Sequence, residues 1–357
     1  VLGNHIYESN YVLFACVCVL VYIFLGVSDY ILAKSFDDNF DYPLNVNIKS
    51  VVNDVLAGKK ASVKPINYYP YRFITNSGKC FTTDQLDLFI VVKSAMDHFE
   101  HRDAIRKTFG RENVPGRTVR TLFFLGIDSK PKSDLQKKID KEMVEFKDII
   151  QIDFIDNYYN NTIKTMMSFR WLYDYCSTAD YYLFTDDDMY ISVNNLLAYI
   201  HDREATRKPA AALSAAANDM ALATTTAESE SDCSDCLFTG YVFKSTPQRF
   251  KSSKWRVSLE EYPWDKWPAY VTAGAYVVSN KAMKVMYVAS LFVKHFRFDD
   301  IYLGIVAKKA GITPTHCPDF HFYKKEFCYS CYLNVIASHG YGNQKELLRV
   351  WNEMNST

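Results

Sequence analysis

Three adjacent carboxylates, Asp186-Asp187-Asp188, close the apolar and aromatic run Tyr181-Tyr182-Leu183-Phe184-Thr185, and so abrupt a change of polarity marks where a buried strand should leave its sheet. Open α/β sheets bind their ligands at that edge. Carboxylates this close repel and raise each other's pKa unless a cation compensates. Side chains alternate along an extended segment, so Asp186 and Asp188 can share one side. A hard divalent ion, Mg²⁺ or Mn²⁺, suits such a pair and completes its shell with water and phosphate oxygens, which points to a phosphorylated or nucleotide-linked substrate. A solvated acidic turn after a strand has the same composition.

Other residues offer chemistry to join it. Arg102 and Arg106 are four apart on one helix face, where two guanidinium groups can clamp a diphosphate or line a solvated basic face. Asp299-Asp300 opens a helix that runs to Lys309 with Gly311 as its stop. A carboxylate in a first turn is held ionised by backbone N–H groups, the state a general base needs, although an ordinary acidic cap has the same spacing. From Tyr262 to Tyr270, indole and phenol rings including Trp267 stand beside polar groups, a surface for one face of a sugar or for core packing. Ala273-Gly274-Ala275 leaves the backbone bare enough to admit a ligand or a neighbouring helix. His339 follows the apolar Val335-Ile336-Ala337 and reads as structural or as a metal ligand.

The elements that must position these groups alternate. Strands are predicted at 86–92, 119–125, 149–154, 237–244 and 270–278, with helices at 98–109, 133–146, 162–176, 192–203 and 280–293. The second helix is opened by Ser133 and Gln136 in capping-box spacing. The alternation predicts an α/β fold with a mostly parallel sheet covered on both faces. Ahead of it, the uncharged run Tyr11–Val27, extended towards Ala33, approaches the roughly 20 residues that cross a bilayer. Residues 28–83 lack sustained period and read as a stem, and 205–235 as a low-complexity surface insertion. The chain begins at Val1, so its amino terminus is expected to be incomplete.

Charge selects against some partners: 41 Lys and Arg balance 41 Asp and Glu, leaving no global field for nucleic acid. Of nine cysteines, Cys16 and Cys18 lie in the apolar run and seven lie beyond it. Cys233-x-x-Cys236 and Cys328-x-x-Cys331 have zinc-like spacing but lie far apart, the first in a Ser/Asp-rich tract without His. This favours disulfides of an oxidising lumen, with at least one thiol unpaired. Sequons at Asn160 and Asn355 agree with a luminal body.

Together these pieces resemble the inverting β1,3-glycosyltransferases, the family of galactosyltransferases, N-acetylglucosaminyltransferases and fringe-like enzymes. The resemblance runs from about Leu86 to Met354. It rests on Arg102-Asp103-Ala104-Ile105-Arg106-Lys107-Thr108-Phe109, Phe123-Phe124-Leu125-Gly126, the stretch 148–165, the Asp186–Asp188 triplet, Trp267-Pro268-Ala269-Tyr270, Asp299-Asp300-Ile301-Tyr302-Leu303-Gly304, and His339 with Arg349-Val350-Trp351-Asn352. Within the family the likeness is to brainiac-type enzymes. It implies a single GT-A-type, Rossmann-like catalytic domain (84–357) on a luminal stem (34–83), a signal anchor (11–33) and a short cytosolic stub (1–10): a single-pass type II Golgi membrane protein. It also implies a UDP-sugar donor, UDP-GlcNAc or UDP-Gal, and a glycolipid or glycan acceptor. Asp186, Asp188 and His339 would hold Mn²⁺ or Mg²⁺. Lys93, Arg102, Arg106 and Asp187 would contact the nucleotide, Trp267, Tyr270, Gly274 and Asp299 the sugars, and Asp300 would be the base. Two departures from the family pattern stand out, Asp299-Asp300-Ile301 for Glu-Asp-Val and Ala273-Gly274-Ala275 for a glycine-rich turn. An inactive carbohydrate-binding protein on the same fold is the alternative of another class.

Overall fold

The structure, a computed structural model, describes residues 2–80, 85–130, 133–219, 233 and 235–356, with side chains described from residue 11 on except at 12 and 207–219. Its strands are β1 (Leu86–Lys93), β2 (Asn113–Val114), β3 (Arg117–Ile127), β4 (Ile149–Ile155), β5 (Ala179–Asp186), β6 (Met189–Ile191), β7 (Phe238–Phe243), β8 (Tyr270–Ser279), β9 (Thr315–His316), β10 (Phe320–His321) and β11 (Ala337–His339). The main sheet is ordered β3-β1-β5-β8-β7-β9, with β2 and β4 also paired to β3. Strands β1, β3, β4 and β5 are parallel, but β8 runs antiparallel to both β5 and β7. The sheet is therefore mixed but mostly parallel, as the alternation predicted, with β8 running against its neighbours. The reason is the connection: β7 reaches β8 through the irregular stretch 244–269, with no crossover helix of the kind that makes neighbours parallel.

Helices α1 (Leu2–Leu25), α2 (Val27–Ile31), α3 (Phe36–Asn39) and α4 (Ile48–Leu56) precede the sheet. After β1 come α5 (Phe99–Lys107), α6 (Asp134–Phe146), α7 (Asn161–Tyr175), α8 (Val193–Asp219), α9 (Asn280–Ser290), α10 (Asp299–Ala310), α11 (Tyr329–Tyr332) and α12 (Gln344–Asn355). Ser133 accepts from the Gln136 amide, and Gly311 ends α10 in the left-handed region, as the spacing predicted. The pleat of β1 divides its side chains between two cores. Phe89 and Val91 join α4, α7, α9 and α10, whereas Leu88, Ile90 and Val92 join α5, α8 and α12. Contact between α10 and β8 is especially close, because a Cβ added at Gly304 would stand 2.5 Å from Tyr270 Cβ.

The segment before the sheet departs from an extended stem. Tyr42, Ile48, Val51 and Val52 are buried against α9 and α10 in the first core, and Cys80 is bonded to Cys176 at the end of α7. The predicted span from residue 11 to 33 is not one helix, for α1 ends at Leu25 and the chain turns at Gly26 (φ 67°) into α2, which lies against Arg249. Among the described residues no helix is long and apolar enough to cross a membrane. The predicted insertion at 205–235 falls mostly outside the described residues; the backbone of α8 continues helical to Asp219. Cys233–Cys236 and Cys328–Cys331 are disulfides and Cys317 is a buried free thiol, so the paired motifs are not zinc ligands.

Candidate active site

Parallel pairing of β1 and β5 sets their last residues, Lys93 and Asp186, side by side at the carboxyl edge of the sheet. Lys93 Nζ lies 3.1 Å from Asp186 Oδ1 and 2.8 Å from Asp299 Oδ2, the first residue of α10. Burial alone would strip this ammonium of its proton, but Asp186 and Asp299 hold it firmly charged. Asp299 also accepts from Thr165 Oγ1 at 2.9 Å and Asn161 Nδ2 at 3.3 Å. Burial opposes its ionisation, yet Lys93 and these donors hold its pKa below the ordinary range. Lys93, expected to meet the nucleotide, forms a buried brace with Asp299 between the two walls of the site, and Asp299, expected to meet a sugar, lines the cavity as well.

Asp186 is left partly uncompensated: burial pushes its pKa up to about 6, with Asp299 and Asp188 adding to the rise against Lys93. Asp188 meets His339 because β11 runs antiparallel to β6 with His339 opposite Met189, bringing His339 Nε2 to 3.1 Å from Asp188 Oδ2. The Asp188 hydrogen bond raises the pKa of His339. Two oxygen donors and an imidazole, partly exposed beside the cavity, suit Mn²⁺ or Mg²⁺ that keeps water or phosphate ligands. They do not converge as a closed trio, since Asp186 turns to Lys93. Asp187 points elsewhere, taking Ser94 Oγ at 2.6 Å and His98 Nδ1 at 2.9 Å. With His98 and His101 it brings ligand atoms within 4.8 Å of one another, a cluster that sequence spacing did not single out.

Asp300 completes the site. It lines a cavity of about 580 Å³ together with Asp186, Gly274, Asp299 and His339. Its Oδ1 accepts from the Ile301 amide at 2.8 Å, the first-turn stabilisation read from the sequence. Burial and the Asp299 carboxylate outweigh that bond and push the pKa up to about 7. A basic carboxylate facing the cavity beside Asp186 and His339 can remove a proton from a bound hydroxyl.

Two arginines do not join the cavity. Arg102 is fully buried, and its five donors serve Glu142, Ser94 Oγ, and the Ala95 and Met96 carbonyls. Arg106 pairs with Asp148 and Glu142 beneath the Phe146 ring. The expected diphosphate clamp is a structural ion-pair network, because both groups are already satisfied by partners from α6 and the turn before β4. Trp267 contributes to the cavity wall but is buried against Tyr262 and Phe296, and Tyr270 pairs its hydroxyl with Ser245 at 3.1 Å. Gly274 faces Met189 and His339, where an added Cβ would stand 3.2 Å from the Met189 sulfur. Of the sequons, Asn160 ends the 3-10 turn Tyr158–Asn160 with its amide on the Ile155 carbonyl, and Asn355 is exposed at the end of α12.

Comparison with known proteins adds a family. The model described as Galactosyltransferase matches residues 100–318. The chain is 38% identical over 351 residues to "Beta-1,3-galactosyltransferase brn" of Drosophila melanogaster, covering 96% of each. It is 32% identical over 351 residues to "Lactosylceramide 1,3-N-acetyl-beta-D-glucosaminyltransferase" of Rattus norvegicus, covering 96% of this chain and 84% of that protein. With "Beta-1,3-galactosyltransferase 1" of Homo sapiens it shares 30% over 294 residues, 82% of this chain and 81% of the relative.

Proposed function

The chain belongs to the galactosyltransferase family and is a hexosyltransferase of its brainiac-like β1,3 branch, and from that premise we propose an inverting, metal-dependent transferase with a GT-A-type domain that moves a sugar from a UDP-sugar to a glycolipid or glycoprotein acceptor. The observation that carries this reading is a single cavity walled by both Asp186 and His339 and by Asp299 and Asp300. Asp188 and His339 would hold Mn²⁺ or Mg²⁺, with Asp186 facing it. When bound, the ion supplies Lewis acidity for the departing UDP. Asp300 takes the proton of the acceptor 3-hydroxyl as that oxygen attacks the anomeric carbon opposite the leaving group, which inverts the centre. Lys93 and Asp299 fix the amino end of α10, and hence Asp300, against β5.

We favour UDP-GlcNAc as donor on the resemblance to brainiac-type enzymes and on the relative named as an N-acetylglucosaminyltransferase; Ala273-Gly274-Ala275 does not decide between donors, because Met189 packs against Gly274. UDP-Gal is the alternative, and two of the relatives are named galactosyltransferases. For location we propose a single-pass type II Golgi membrane protein with a luminal body, supported by the apolar run from Tyr11, the disulfides and the sequons at Asn160 and Asn355. The test is incubation with UDP-GlcNAc or UDP-Gal against a panel of glycolipid acceptors, with and without EDTA, followed by linkage analysis. A β1,3 product that disappears on chelation and returns with Mn²⁺ is expected. Binding of UDP-sugar with no transfer to any acceptor would instead favour the inactive carbohydrate-binding protein.

A further inference from the structure

The rings most exposed around the cavity are not those of Trp267 and Tyr270. Tyr158 and Tyr159, on the 3-10 turn before α7, are 59% and 75% exposed, and Trp255, between β7 and β8, is 50% exposed; all three line the cavity. The two tyrosine rings meet edge to face at 5.7 Å. Lys254 Nζ lies 4.5 Å from the Trp255 ring centre and 5.9 Å from that of Tyr158, so it spans two segments distant in sequence. Single exposed aromatics are ordinary, but several gathered at the mouth of one cavity mark a binding surface.

What these rings serve follows from their tethers. Asn161, directly after the turn, donates to Asp299. Arg297, two residues before Asp299, pairs with Glu261 at 2.7 Å and donates to the Arg256 carbonyl next to Trp255. Both aromatic segments are therefore fastened to the wall that carries Asp300. The wall of His339 is built from different elements, β6, β10 and β11. We infer that Tyr158, Tyr159 and Trp255 form an acceptor subsite for a neutral glycan, holding the pyranose next to the one that receives the new sugar, its apolar C–H face laid on the rings. Resting on the transferase reading, this makes the three aromatics determinants of acceptor length: they act on a disaccharide acceptor and have nothing to grip on a monosaccharide.

The test uses the full chain with UDP-sugar and the methyl glycosides of β-galactose or β-mannose, whose aglycone offers no ring to stack, each alone and each extended by one glucose towards the methyl group. Acceptor-free hydrolysis of the donor reports an intact donor site. Trp255→Ala and Tyr159→Ala should each lower kcat/KM for the disaccharides by about tenfold, the worth of one lost stacking contact, mainly through KM. Monosaccharide transfer and hydrolysis should hold, and Trp255→Phe should restore most of the loss. Equal losses on both acceptor lengths, or none, would overturn the subsite while leaving the transferase intact. A parent chain that hydrolyses donor yet glycosylates none of these acceptors would overturn the transferase reading and the subsite with it.

Discussion

Asp300 stands where two influences oppose each other. The Ile301 amide favours its anion, and burial beside Asp299 disfavours it more strongly, lifting the pKa to about 7. A base must be ionised to accept a proton, so kcat/KM should climb about tenfold per unit as pH rises towards 7 and level off above it. Asp300→Asn should remove both that limb and transfer, while UDP binding persists. A flat profile from pH 5 to 8 in the parent protein would take the base role away. The sequence disclosed this carboxylate and its helix but gave the wrong sign for the balance, because the opposing burial comes from packing that no local pattern records. The same limit explains Arg102 and Arg106: their shared face was legible at i and i+4, but Glu142 and Asp148, which engage them, arrive from other elements. His339 was legible as a histidine at the end of a strand. Its meeting with Asp188 depends on the register between β6 and β11.

Elements bring these residues together through two close fits. The first is the Lys93 brace, which joins β1 and β5 to the start of α10. Lys93→Met leaves Asp299 buried without its cation, and such a break costs about 3–5 kcal/mol; the lower end applies, since the Asp186 carboxylate is one-third exposed. Urea unfolding of the variant should show that loss, and adding Asp299→Asn should recover part of it; unchanged stability in the single variant would refute the brace. The second fit is Gly304 against Tyr270. A methyl group there meets backbone-anchored atoms at 2.5 Å, so Gly304→Ala should displace α10, costing about 1–3 kcal/mol and lowering kcat more than donor affinity. Most of these elements could be placed from local cues, continuous apolar runs in β1 and β5, the Ser133 cap and the Gly311 stop. The antiparallel entry of β8 could not, because strand direction is set by the path of 244–269 rather than by composition.

At the scale of the whole molecule, the segment before the sheet belongs to the fold. Ile48, Val51 and Val52 on one face of α4, and Tyr42 before it, are buried against α9 and α10. Burial of each aliphatic side chain is worth about 1.5–3 kcal/mol, so the three together rival the roughly 5–15 kcal/mol by which a domain is stable. Polar contacts reinforce them: Asn67 Nδ2 donates to the Ser290 and Val293 carbonyls at 2.6 and 2.5 Å, and Lys309 Nζ to the Leu44 carbonyl at 2.9 Å. The elements they support, α9 and α10, include the one that aims Asp300. A soluble fragment cut at the boundary drawn from sequence, residues 84–357, therefore uncovers the apolar sides of both helices and leaves Cys176 without Cys80. A fragment of residues 34–357 keeps all of these contacts. The longer fragment should melt cooperatively and transfer sugar. The shorter one should bind a hydrophobic dye, lose its sharp thermal transition and lose transfer with it. Equal melting temperatures and equal kcat/KM for the two would mean that residues 34–83 only rest on the catalytic domain, and that α10 holds Asp300 in place without them.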